Sequence, residues 1–209
     1  MIKNWETFIH TNKLGLISLI LIIGGVIFNN PFATVTYGPG VIAPNEPLQK
    51  STNKDNFYYK DIEVKPQASF AIEAKVLSKE NYSFDGGSHV SPVDLALGWG
   101  RMSDETILSN INISQRNRFF FWRVDQFPIP RKEIERHSAN MHIIPSNDTI
   151  AHKLDKIKEG QLVRFSGYLV NLKRADGWHW ESSLSRNDTG GGACELVWVE
   201  EFEIVLHNN

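Results

Sequence analysis

Four residues in the C-terminal half carry the groups that hydrolytic chemistry needs: His142, Ser183, Asp188 and Cys194. One arrangement makes Cys194 or Ser183 the nucleophile, His142 the base and Asp188 its partner or acid, provided that base and nucleophile come within about 3 Å. The local sequence around the thiol argues the other way. Cys194 enters a strand instead of a helix N-terminus, and the neighbouring Glu195 disfavours a thiolate, so a small buried hydrophobe is the preferred reading. His137 and His142 are five apart, which places them on different faces of a helix or a strand, and His152 follows ten residues later. No metal centre is expected from that spacing. No cofactor is expected either: Gly190-Gly191-Gly192 is not followed by Lys-Ser or Lys-Thr and leads into a strand, not a helix.

A second set of residues suits binding. The run Arg116-Asn117-Arg118-Phe119-Phe120-Phe121-Trp122-Arg123 interleaves cations with aromatics, and Trp178-His179-Trp180 puts two indoles on one face of a strand. Alternation in the first run predicts Phe119 and Phe121 facing a core, with Arg118, Phe120 and Trp122 facing out. The candidate ligand-binding residues are therefore Arg118, Trp122, Arg123, Asn140, His142, Trp178, Trp180 and Arg186. With 22 basic against 24 acidic residues and a net charge of -2, the chain has no broad field for nucleic acid, which is not an expected partner. The triplet Asp188-Thr189-Gly190 resembles the short signature of aspartic proteases. That family needs a second carboxylate and a small Ala or Ser after the triplet. Here a single triplet is preceded by Arg186-Asn187 and followed by Gly191, which reads as a tight glycine loop.

These side chains sit behind an apolar N-terminal segment. Residues 14–28 (LGLISLILIIGGVIF) hold no charge, and extension to Ala33 gives about twenty residues, a marginal length for crossing a bilayer. Lys3 and Lys13 precede the segment and the next basic residue is Lys50, so the N-terminus is expected in the cytoplasm. Pro31-Phe32-Ala33 is a poor cleavage site, which favours an uncleaved anchor. The expected organisation is a cytoplasmic leader at 1–13, a transmembrane signal anchor at 14–33, a Pro/Gly-rich tether or docked arm at 34–56, and a β-rich periplasmic or extracellular domain at 57–209. The single cysteine leaves that domain without an internal disulfide, so its core must hold unaided.

Ile62 and Val64, then Phe70, Ile72, Ala74 and Val76, alternate with polar residues as in a half-buried strand. Residues 162–172, 178–184 and 196–206 read as further strands, with Asp176-Gly177 as a hairpin turn. Asn147 or Asp148 caps a helix that ends before Gly160. Ser91-Pro92 reads as the start of a short helix stopped by Gly98, and residues 137–145 as a polar, hydrogen-bonded stretch in which Ser138, Asn140 and His142 satisfy buried backbone groups. The expected class is mainly β (α+β): a transmembrane helix, then a small β-barrel or sandwich with one or two short helices. Lys158 to Val170, a helix end running into a strand, resembles the strand entry of OB-like and SH3-like small barrels. The expected function is a single-pass envelope protein that binds a partner protein or cell-wall glycan. The alternatives are the envelope hydrolase above and a subunit of a larger membrane complex.

Overall fold

A computed structural model describes residues 34–185, 187–188 and 192–206. The expected anchor at 14–33 and the candidate Arg186 lie outside the described residues, among which no helix is long and apolar enough to cross a membrane.

The described domain is mainly β. Its elements run β1 (Leu48–Ser51), β2 (Phe57–Tyr59), β3 (Ile62–Asn81), β4 (Val93–Gly98), α1 (Glu105–Leu108), β5 (Asn112–Arg116), β6 (Phe119–Arg123), α2 (Arg131–Arg136), β7 (Ser138–Pro145), α3 (Asp148–Asp155), β8 (Leu162–Arg174), β9 (His179–Trp180) and β10 (Glu195–Val205). Five long strands form a closed hydrogen-bonding circuit, β3-β4-β7-β10-β8 and back to β3, in which only the β7–β10 pair is parallel. Strands β1, β2 and β9 hang from this circuit, so the eight-stranded sheet is not a clean barrel. Strands β5 and β6 form a separate two-stranded sheet.

The alternation read in β3 has a direct packing result. Phe70, Ile72, Ala74 and Val76 point inward with Leu95, Met141, Phe165 and Val197 to make the main core. A register shift between Pro66 and Ala68 turns the first part of the strand, so Ile62 and Val64 join a second cluster with Val170, Leu172, Leu196 and Trp198. One twenty-residue strand thereby serves two cores. Helix α3 lies between β7 and β8 and begins as its sequence requires: the Asn147 side chain accepts a hydrogen bond from the Ile150 amide, and Ile150 and Leu154 are buried.

One local reading is corrected: residues 93–98 form β4, not a capped helix. The polar stretch before Pro145 forms β7. Both strands are buried along their whole length: β4 is apolar on both faces apart from Asp94, whereas β7 keeps Ser138, Asn140 and His142 on its outer face beneath neighbouring elements. The strand expected at 178–184 is reduced to the two residues of β9. The Pro/Gly-rich arm is held to the domain: Tyr37 and Gly38 amides donate to Glu105, Gly40 donates to Asp104, and Val35 donates to the Glu159 carbonyl. Gly160 makes the last contact possible, because its φ is +84° and an added Cβ would lie 1.8 Å from the Val35 oxygen.

Candidate functional site

Strands β4 and β7 pair so that Asp94 lies opposite His142 and Ala96 opposite Asn140. Side chains two apart share a face, so Asn140 and His142 turn away from the main core, which takes Ala139, Met141 and Ile143 from the same strand. In β10, Leu196 pairs with His142, and Cys194 stands just before the strand beside Asn140. This face holds Asp94, Asn140, His142 and Cys194.

The face is covered by the β5–β6 hairpin, whose tip is Arg118. The guanidinium donates from Nη1 to Asp94 Oδ1 at 2.7 Å, from Nε and Nη2 to Asp85 at 2.7 and 2.9 Å, and from Nη2 to the Ser91 carbonyl at 3.0 Å. It stacks 3.7 Å from the Tyr82 ring centroid and lies 5.4 Å from that of Trp180. Nδ1 of His142 is 2.9 Å from the same Asp94 oxygen, without hydrogen-bond alignment, and the His142 ring packs on Trp180 at 4.6 Å. Gly87 lets Trp180 lie against the loop after β3, since a Cβ there would meet the indole at 2.6 Å. Burial by itself would lower the Arg118 pKa, but the Asp85 and Asp94 carboxylates outweigh it and raise the pKa. The same pairing with Arg118 holds the Asp85 carboxyl below the usual aspartate range.

Asn140 ties the hairpin backbone to this face. Its amide donates to the Arg118 carbonyl at 3.0 Å, and its oxygen accepts from Gln115 at 2.6 Å. The Cys194 thiol faces the Arg118 carbonyl at 3.8 Å, and burial pushes its pKa up to about 11. Of the candidate catalytic residues, the His142 ring contacts Asp94 and Trp180, while Ser183 donates to Asp188 at 2.6 Å and the Ser183 amide donates to the Cys194 carbonyl. Among the described residues, no group of three or more His, Cys, Asp and Glu is placed to hold a metal ion.

Beside the hairpin opens a cleft of about 620 Å³. It is lined by the continuous run from Phe119 to Val124 with Phe127, Arg131, Glu135 and Arg136, and by Ser138, Ala139, Asn140, Ser185, Asp188, Ala193, Cys194 and Glu195. The cleft thus gathers Trp122, Arg123, Asn140, Asp188 and Cys194, whereas His142 and Trp180 do not line it and pack on each other, with Trp178 packed edge-on against Trp180. The parity expected for the aromatic run is reversed. Phe119 and Phe121 are the exposed residues, and Trp122 packs on the cluster of Met102, Ile111, Ile129 and Ile134. Sequence reasoning missed Tyr82, Asp85 and Asp94. The available signal was a lone carboxylate inside the apolar strand VDLALG, which has to find a cationic or hydrogen-bonding partner when buried.

No family model matches the chain, and no curated protein or solved structure matches it.

Proposed function

We propose that the chain is a membrane-anchored binding module of the cell envelope, with an OB-like barrel that receives an extended segment of a partner protein along the β6 edge. Numbering the five circuit strands in chain order gives the ring 1-2-3-5-4, with the parallel pair between the third and fifth and a helix between the third and fourth. OB-folds are five-stranded Greek-key barrels that bind ligands on the face of their second and third strands, which here are β4 and β7.

The observation that carries the reading is the lining of the cleft by consecutive residues 119–124. Successive side chains of a strand point to opposite faces, so an unbroken run lines one cleft only if the strand edge forms its wall. The Arg116–Phe119 pair flanks a two-residue turn. By antiparallel alternation the Phe119, Phe121 and Arg123 amides bond to β5, and those of Phe120 and Trp122 point away from it. An open edge of this kind is completed by strand addition. The aromatic geometry favours protein over glycan. Phe119 and Phe121 are tilted 46° to each other on the rim, and the Trp122 face is engaged edge-on by Phe127. They offer apolar contact in place of the flat open platform that a sugar ring stacks on.

A photoactivatable residue at Phe121 in the full-length chain, expressed in its own cells, is expected to give a discrete adduct with an envelope protein. The same probe at Tyr58, exposed on β2, is expected to give none. Phe120→Pro removes an outward amide while sparing the β5 ladder, and is expected to reduce the Phe121 adduct at least about fivefold. Equal adducts at both positions, or an adduct indifferent to Phe120→Pro, would refute strand addition at this edge.

A further inference from the structure

The turn between β5 and β6 has a side chain that its backbone does not favour. Asn117 and Arg118 have φ of 52° and 70°. Two-residue hairpin turns with both central residues at positive φ prefer Asn-Gly, because a Cβ at the second position is crowded. Asparagine tolerates its place. Arginine at the next position is strained, and strain of this kind persists only where surrounding contacts over-determine it.

Those contacts are made by the guanidinium. Four of its five N–H groups have acceptors in Asp85, Asp94 and the Ser91 carbonyl, and its plane lies on Tyr82 with Trp180 beyond. The surroundings match a planar, forked cation. An ammonium donates from a single nitrogen and cannot span acceptors at both ends of the β3–β4 loop and on β4 while stacking on a ring. The base of the hairpin is fixed separately, by Ile113 and Trp122 packed on the Ile134 cluster. The tip is held by the Arg118 side chain, by the Asn140 amide donating to the Arg118 carbonyl and by the Arg118 backbone amide donating to the Tyr82 hydroxyl.

We infer that Tyr82, Asp85, Ser91, Asp94 and Trp180 form a guanidinium-recognition site, occupied in cis by Arg118 and available to an arginine side chain of a partner protein when the hairpin tip lifts. Asp94 is fully buried, so departure of Arg118 leaves a buried carboxylate beside His142 that lacks its guanidinium. The open state therefore favours capture of another guanidinium over staying empty. The inference rests on the binding-module reading only for the source of that arginine.

Arg118→Gly empties the cage while giving the turn its preferred residue. In the purified full-length variant the melting temperature is expected to fall by about 5–10 °C. N-acetylarginine methylamide at about 10 mM is expected to restore about 3 °C, and the lysine counterpart less than about 1 °C. In the wild-type chain the arginine probe competes with Arg118, and is expected to accelerate amide exchange at residues 116–120 at least about threefold over the lysine probe. Equal responses to the two probes in the variant would overturn the site. Should the variant not fold, unchanged exchange in the wild-type chain under the arginine probe would overturn it as well. Neither measurement uses the Phe121 adduct, so failure of the cage and failure of the cleft are separable.

Discussion

Burial is the main reason that the Cys194 thiol has its pKa pushed up to about 11; Glu195 adds to the shift, and the hydrogen bond from Asn140 works against it. At pH 8 such a thiol is about one part in a thousand ionised, against roughly a quarter for an ordinary cysteine. Native protein is therefore expected to react with a disulfide reagent about a hundredfold more slowly than denatured protein, and a full-rate reaction in the native state would contradict the environment described for it. Several residues of this site were legible as types. Arg118, Asn140, His142, Trp180 and Cys194 all stood out as chemistry in need of a partner. Their grouping was not legible, because it depends on a β4–β7 register and on a hairpin that folds back across it. Arg118 shows the difference plainly: an arginine among aromatics suggests an outward-facing contact, yet its charge is turned inward to Asp85 and Asp94.

At the scale of elements, Glu105 is one of two carboxylates that dock the N-terminal arm. Glu105 accepts from the Tyr37 and Gly38 amides and pairs with buried Lys75 at 2.6 Å. Burial alone would raise the Glu105 pKa; Lys75 and the two amides more than offset this and hold it below the usual glutamate range. With the folded value below the unfolded one, this contribution to docking is fully present above the ordinary glutamate range and is lost as pH falls through the folded value. Amide exchange at Tyr37 and Gly38 should accordingly be slow at neutral pH and rise on acidification. Glu105→Gln should raise it about tenfold at neutral pH, as expected for weakened charge-assisted hydrogen bonds; exchange that ignores both changes would show that the arm is held by other means. Elements with one wet face were readable from sequence: β3, β8 and capped α3, and also β10, whose second half is partly exposed, appear within a few residues of where their periods put them. Strands β4 and β7 were not, because neighbouring elements cover their outer side and let Ser138, Asn140 and His142 be buried while keeping polar character.

For the whole molecule, the proposed anchor at 14–33 makes a claim independent of the domain's fold. Full-length chain is expected to float with membranes and resist alkaline extraction, and deletion of 14–33 should release it. The domain should be cut by protease added to the outside of intact cells or spheroplasts. Full protection there would reverse the orientation inferred from Lys3 and Lys13. The parallel pairing of β10 with β7 has a consequence for when the ring can close. Strand β10 is the last of the described strands, yet it alone joins β7 to β8 in the ring. The pairs formed earlier in the chain leave that ring open, with β7 lacking a neighbour on one side. Closure waits for the final strand and spans about fifty residues of sequence, a non-local contact that forms slowly. A chain emerging N-terminus first would thus keep this ring open until β10 itself is available.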